Sequence, residues 1–261
     1  MIHGLSNQFL YSAYKIKATF ADEIGRVRCG QGTCFFVKDR TKLVLITNRH
    51  VLDLGYKSGQ EFSAYTLREI EVSGKIGQPP HNTPIGDVVF SLQPNVRFHP
   101  HDDNDIACVA PLLPVGAGAR IDYFIPWSMF ATAAEYMSDL SVCDFVAFPG
   151  YPPWHDDEAN RPIFRSGTIS SDPRFNYRCR DSVRGDCVAY EAFSYGGSSG
   201  SPVFALQKGI RPGLGIQFPD FREARFIGIN AGHLRNERDG QGHSGISYFF
   251  KSTAIAELIE I

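Results

Sequence analysis

The stretch that decides the fold is YGGSSGSPVF, residues 195–204. Three glycines and three serines fall within residues 195–201, and glycine in that number weakens both helices and strands. A flexible linker would lie among polar, low-complexity residues, whereas CVAYEAF at 187–193 and PVFAL at 202–206 are typical of buried strands. The pattern therefore predicts a rigid turn, here called the serine turn (residues 195–201), which presents one serine from a folded core.

Short apolar runs separated by turn residues recur along the chain. This spacing is typical of antiparallel sandwiches or barrels. The predicted strands are 14–20, 34–37, 43–47, 62–67, 70–72, 87–92, 96–98, 106–110, 142–148, 167–170, 187–193, 202–206, 226–229 and 246–250. The closing STAIAELIEI predicts a short helix that Ser252 or Thr253 caps. Residues 110–130 mix prolines and glycines without a period, which predicts a connection between two halves.

Charge and composition exclude several classes of function. With 26 basic and 28 acidic residues, the net charge of −2 gives no global attraction to nucleic acid or to an anionic membrane. We expect a cytoplasmic location, because the N-terminus lacks a secretory pattern and no run is long and apolar enough to span a membrane. Reduced thiols are then favoured, although Cys179 and Cys187 could pair in an oxidising compartment. Cys29 and Cys34 lack a second close pair of ligands, so no metal site is expected.

Two further stretches carry residues that could do chemistry. In LVLITNRHVLD, residues 43–53, His50 follows a buried strand, where its surroundings can fix its tautomer. In NDIACV, residues 104–109, Asp105 stands at the start of a buried strand, so its carboxylate needs a hydrogen-bonded partner. Taken alone, each residue favours an ordinary interpretation: a half-buried histidine, and a turn aspartate that bonds its own backbone.

Together, the three stretches supply the groups that acyl transfer needs: a nucleophile, a base, and a carboxylate that orients the base. In the order His50, Asp105, Ser199 the chain resembles the trypsin/chymotrypsin-like serine peptidase superfamily. TNRHV, NDIACV and GSSGSPV are similar to its histidine, aspartate and serine motifs. This alignment selects Ser199 as the nucleophile, in preference to Ser198 or Ser201.

The resemblance implies an all-β fold of two antiparallel six-stranded β-barrels, followed by a short C-terminal helix. The active site would lie between the barrels. Residues 1–118 would form the N-terminal barrel with His50 and Asp105, and residues 119–261 the C-terminal barrel with Ser199. The backbone N–H groups of Gly197 and Ser199 would form the oxyanion hole.

Departures from the digestive members point to a bacterial branch that is HtrA-like or similar to glutamyl endopeptidases. Ser198 stands where zymogen-activated members have the aspartate that receives a newly cut N-terminus, so we expect no such activation. No cysteine flanks His50, so the usual disulfide around the histidine is missing.

The same alignment assigns the substrate-binding residues. Phe193 would form the floor of the specificity pocket, and Asn230, Ala231 and His233 its wall. A phenylalanine floor disfavours cleavage after Lys or Arg and indicates small to medium apolar side chains. Alternatively, His233 or Asn230 would recognise Glu or Gln through hydrogen bonds.

The resemblance thus implies a serine endopeptidase of protein or peptide substrates that uses no cofactor and no metal. The alternative is a catalytically silent protein of the same fold that binds a peptide or partner, and a third possibility is an esterase or a structural protein that uses the same fold. If the protein is a cytoplasmic peptidase without a pro-segment, we also expect either that its specificity is narrow or that a regulatory partner protein controls it.

Overall fold

Strands dominate the computed structural model, which describes residues 5–40, 42–58, 60–77, 83–116, 119–180, 183–209, 221–235 and 242–260. Buried and more exposed residues alternate along the first strand, as expected where one face of a sheet covers a core. The all-β fold predicted from the sequence is confirmed.

The first sheet has nine strands: eight follow the order β6-β7-β3-β2-β1-β4-β5-β8, and β9 pairs in parallel with β2. These strands are β1 (Ala13–Ala21), β2 (Val27–Asp39), β3 (Lys42–Thr47), β4 (Thr66–Gly77), β5 (Pro84–Leu92), β6 (Val96–Phe98), β7 (Ala107–Val109), β8 (Pro114–Val115) and β9 (Ile125–Pro126). The sheet curls around a core that includes Tyr14, Ile16 and Phe36, all fully buried.

The second sheet is a closed six-stranded barrel in the order β10-β11-β12-β15-β14-β13. Its strands are β10 (Phe145–Gly150), β11 (Ile163–Ile169), β12 (Cys187–Glu191), β13 (Pro202–Ala205), β14 (Arg225–Arg235) and β15 (His243–Lys251). All pairings are antiparallel, and Phe148, Tyr190 and Phe249 fill the interior.

The helices are short: α1 (Asn7–Leu10), α2 (Arg49–Leu52), α3 (Ala133–Ser138) and α4 (Ser252–Glu260). The predicted C-terminal helix is confirmed as α4, which packs its apolar face against β14 and β15. Helix α3 was not predicted from the sequence, although Thr132 and Glu135 form a capping box at its start. Among the described helices, none has the length and apolarity needed to cross a membrane.

Two details of the first half differ from the prediction. The first sheet curls without closing within the described residues, and its end strands β6 and β8 are only three and two residues long. Few backbone groups are therefore available there to pair and close a barrel. The predicted strand at 62–67 is also wrong over residues 62–65, because Gln60–Phe62 is a 3₁₀ turn, whereas Thr66 and Leu67 begin the longer strand β4. A bulge opposite Thr19 and Phe20 leaves Arg68 unpaired with β1, while Glu69 pairs with Thr19, so that β4 continues through residues 68–69.

The division of the chain near residue 118 stays a prediction. Strand β9 follows that point, yet Ile125 and Pro126 pair with Val37 and Lys38 of the first sheet. The connection between the halves therefore contributes backbone pairing to the first sheet before the barrel begins at Phe145.

Candidate active site

His50 and Asp105 form a close pair where two neighbouring strands of the first sheet, β3 and β7, end and begin. His50 lies on α2, directly after β3, and Asp105 precedes β7, which pairs with β3. The Nδ1 atom of His50 lies 2.5 Å from Oδ2 of Asp105, and the His50 backbone N–H donates to Oδ1 at 2.9 Å. Asn48 donates from Nδ2 to the Asp105 carbonyl at 2.8 Å. The largely buried carboxylate is therefore fixed against both the ring and the backbone of His50.

The environment of His50 acts on its pKa in opposite directions. Burial is the largest effect and lowers the pKa, and the charge of Lys57 adds to it. The negative charge of Asp105 and its hydrogen bond outweigh both, so that the pKa of His50 is raised above its ordinary value. When the ring is neutral, the bond to Asp105 favours the proton on Nδ1, which leaves the Nε2 lone pair free to accept a proton.

The serine turn has a backbone that only glycine adopts readily at two of its positions. Gly197 and Gly200 have φ angles of +85° and +88°. A Cβ on Gly197 would collide with the carbonyl oxygen of Tyr151, and a Cβ on Gly200 with that of Thr33. The glycines on either side of Ser199 are therefore required by both conformation and space, as the sequence pattern indicated.

Thr33, in the middle of β2, fastens the serine turn to the first sheet. Its backbone N–H donates to the carbonyl of Ser199 at 2.8 Å, and its hydroxyl donates to the carbonyl of Gly197 at 2.7 Å. The same hydroxyl accepts a bond of 3.1 Å from the N–H of Tyr151. One buried side chain thus joins the first sheet, the serine turn and the end of β10.

Packing on β2 brings the serine turn close to the chain segment that carries His50. A Cβ placed on Gly32 would lie 3.0 Å from the side chain of Val51, the residue after His50, and 3.1 Å from the carbonyl oxygen of Ser199. Both chain segments therefore approach the same point of β2. The Ser199 hydroxyl donates a long bond of 3.5 Å to the carbonyl of Ala231.

Backbone N–H groups of the turn fall into two sets. The N–H groups of Ser198, Gly200 and Ser201 donate to the carbonyls of residues 195, 230 and 198. Those of Gly197 and Ser199 have no acceptor among the described residues. These two amides therefore lie without an internal acceptor next to the hydroxyl, and their role as an oxyanion hole stays a prediction.

The residues predicted to bind substrate divide into exposed rings and buried supports. Phe193 is 56% exposed, and its ring lies 4.9 Å from the ring of His243. His233 stacks on His243 at 4.2 Å. Burial, then His233 and then Arg165 lower the pKa of His243 to about 4, and burial also lowers the pKa of His233. At neutral pH this cluster is therefore a row of uncharged rings beside the serine turn.

Asn230 lies beneath the serine turn. It is 1% exposed, and its side chain donates to the carbonyl of Ser198 at 2.8 Å and accepts from the Tyr190 hydroxyl at 2.7 Å. This burial argues against a direct contact between its amide and a substrate. Ala231 is also buried, so that its carbonyl and not its side chain is the group near Ser199.

Sequence reasoning missed the side chains that hold the site together. Arg49 bonds Asp53 at 3.0 Å and Asp102 at 2.6 Å, and its guanidinium lies 4.4 Å above the ring of Tyr56. It therefore ties α2 to the loop that leads into Asp105. A positive charge next to a candidate base was visible in TNRHV, but its partner Asp102 lies 53 residues away. No cluster of three or more metal-ligating side chains occurs in the part of the chain that the structure describes.

The chain matches a known protein family. The family model described as trypsin-like peptidase domain matches residues 32–210, more than half of the chain. This range includes His50, Asp105 and Ser199, and runs from β2 to beyond β13. In the comparison with curated proteins, no sequence matches the chain.

Proposed function

Because the chain belongs to the trypsin-like peptidase domain family, whose members act on proteins or peptides, we propose that it is a serine endopeptidase. Ser199 is the nucleophile, His50 the general base, and Asp105 the carboxylate that orients His50. The observation that carries the proposal is the 2.5 Å pair of His50 and Asp105, whose neighbour Val51 packs beside the part of β2 that bonds the serine turn.

The reaction proceeds through an acyl-enzyme intermediate. The Oγ atom of Ser199 attacks the carbonyl carbon of the peptide bond while its proton passes to Nε2 of His50. Asp105 stabilises the imidazolium that forms, consistent with the raised pKa of His50. The N–H groups of Gly197 and Ser199 bind the oxyanion, and His50 then returns the proton to the leaving amine. A water molecule then attacks the acyl ester while His50 accepts its proton. The proton passes to Oγ of Ser199 as the ester breaks, which releases the acid and restores the hydroxyl.

The row of rings beside the serine turn favours an uncharged side chain before the cleaved bond. Phe193, His233 and His243 offer apolar faces, and no carboxylate is among the groups of the described residues that shift the pKa of His243 or His233. Small to medium apolar side chains are the preferred substrates. Recognition of Glu or Gln is the alternative and would rest on His233, because the Asn230 amide is already bonded on both sides. Cleavage profiling with a peptide library tests this, and a strong preference for Arg would overturn the pocket assignment.

A fluorophosphonate probe tests the activated serine directly, since only a serine paired with a base reacts. The wild-type protein is expected to be labelled and to cleave peptides from the library, whereas Ser199→Ala and His50→Ala lose both properties. Ser201→Ala is the matched control, because its buried hydroxyl has no partner among the described residues, and it keeps the label.

Two results would contradict the proposal. Absence of labelling of the wild-type protein would indicate the catalytically silent binding protein. Labelling with turnover of esters but not of peptides would indicate an esterase.

A further inference from the structure

Arg165 of β11 reaches the serine turn from inside the barrel. Its Nη1 group donates to the carbonyl of Phe193 at 2.8 Å, and its Nη2 group donates to the hydroxyl of Ser198. These two acceptors lie on either side of Gly197 in the chain, and Ser198 directly precedes Ser199. A single planar guanidinium therefore fixes two points of the segment that carries both candidate oxyanion amides.

The partly buried position of this charge carries a desolvation penalty. The guanidinium lies 4.7 Å above the ring of Phe148 and 5.9 Å from that of Tyr195, and burial lowers the pKa of Arg165. No carboxylate of the described residues forms an ion pair with it, and its Nε–H, buried as well, has no partner among them. An apolar side chain would fill the same space without the desolvation penalty. Stability alone therefore does not account for an arginine here.

The position of Ser198 in the family alignment indicates a role for the Arg165 charge. It is fully buried and aligns with the aspartate that, in zymogen-activated members of the superfamily, receives the newly cut N-terminal amine. In this chain the positive group comes from Arg165, and its acceptors are a neutral hydroxyl and a carbonyl. A positively charged group therefore contacts Ser198, the residue before Ser199, and no cleavage of the chain is needed to supply it.

We propose that Arg165 is a positioning residue that holds the serine turn with the N–H groups of Gly197 and Ser199 directed at the oxyanion, in place of activation by a cut N-terminus. This inference rests on the proposed peptidase function. In this proposal Arg165 is not one of the reacting groups, because it acts through the carbonyl of Phe193 and the hydroxyl of Ser198 and does not touch the substrate.

The test compares transition-state binding with ground-state binding in Arg165→Ala. We expect kcat to fall by about 10²–10³-fold, the loss typical of one misplaced oxyanion donor, with KM changed by less than about threefold. A peptidyl boronic acid, which mimics the tetrahedral intermediate, loses affinity by a similar factor, whereas a non-reactive product peptide does not. Methylguanidinium, added to fill the vacated space, is expected to raise the kcat of Arg165→Ala at least tenfold.

Matched variants separate positioning from general damage. Arg161→Met removes an exposed arginine just before β11 and keeps the wild-type kcat. Ser198→Ala removes one of the two acceptors with little change in volume and is expected to lower kcat about tenfold. Ser198→Ala also keeps the test decisive if Arg165→Ala does not fold.

Three results would overturn the inference. One is a wild-type kcat in folded Arg165→Ala or in Ser198→Ala. Another is a loss of product-peptide affinity equal to the loss of boronate affinity, which would indicate damage to the whole site. A wild-type protein that no fluorophosphonate labels would remove the proposed function itself, and the role of Arg165 with it.

Discussion

Replacing Thr33 by valine tests whether one hydroxyl fastens the serine turn to the first sheet. Valine keeps the shape and the β-branched side chain that a strand favours, so the loss of the hydroxyl is the main change. That loss leaves the carbonyl of Gly197 and the N–H of Tyr151 without the partner they have in the wild-type protein. The backbone bond from Thr33 to Ser199 is not removed by the substitution.

The magnitude follows from the burial of the two orphaned groups. Tyr151 is buried, and an unsatisfied buried N–H costs about 1–3 kcal/mol. Gly197 is only partly buried, so the loss of its bond costs about 0.5–1.5 kcal/mol. We therefore expect Thr33→Val to lower the free energy of unfolding by about 2–4 kcal/mol, which corresponds to a fall in Tm of roughly 5–15 °C.

Urea unfolding followed by circular dichroism measures this change, with two matched controls. Thr33→Ser keeps the hydroxyl and is expected to lose only about 1 kcal/mol, for the buried methyl group. Thr66→Val makes the same substitution at an exposed position of the same sheet, where the hydroxyl bonds the carbonyl of Ala21, and changes the free energy of unfolding by less than about 0.5 kcal/mol. If Thr33→Val unfolds at the wild-type urea concentration, or if Thr33→Ser is destabilised as much as Thr33→Val, the Thr33 hydroxyl does not hold the serine turn on the first sheet.

Two further predictions concern the reacting groups and the turn. For wild-type protein, kcat/KM is expected to rise with pH through the raised pKa of His50, because only the neutral ring accepts a proton. In Asp105→Asn the effects that raise the pKa of His50 are lost while burial still lowers it, so the midpoint of the pH–rate profile is expected to move to lower pH. The same variant is expected to lose about 10⁴-fold in kcat. A midpoint that stays in place or moves to higher pH would contradict the pairing of His50 with Asp105. Gly200→Ala combines a left-handed backbone with a collision against the Thr33 carbonyl and is expected to cost about 3 kcal/mol or more in chemical unfolding. Gly25→Ala, at a φ of +83° with open space around the added methyl, is the control and bears only the backbone strain, so equal losses in the two variants would refute the collision.

The elements that the sequence predicted well are those with a local cause. The strands on either side of the serine turn follow from short apolar runs, and helix α4 follows from an amphipathic pattern that begins at Ser252, although the Ser252 hydroxyl donates to the carbonyl of Ala131 and does not cap the helix. The glycines at 197 and 200 follow from a backbone that other residues rarely adopt. The roles of His50, Asp105 and Ser199 stay predictions, as does the cytoplasmic location.

The elements that sequence reasoning missed depend on contacts between distant residues. Thr33 bonds groups that lie 118 and 164 residues away, and no local pattern separates it from other strand threonines. Arg165 fell outside the strand predicted at 167–170, so its direction into the barrel could not be inferred. The open first sheet likewise depends on which distant strand edges meet, and not on the pattern within any one strand.

Two links between the halves of the molecule suggest that the site is aligned by the fold before a substrate arrives. On the serine side, Thr33 of the first sheet holds the serine turn. On the carboxylate side, Asn104, directly before Asp105, exchanges two hydrogen bonds of 2.8 and 2.9 Å with Asp186 at the start of the barrel strand β12. Because Asn104 is 1% exposed, this reciprocal pair is shielded from water, and a shift of one half against the other would leave buried polar groups unsatisfied at both links. Any control by a partner would therefore act more readily on access to the exposed rings around Phe193 than on the distance between the candidate base and nucleophile.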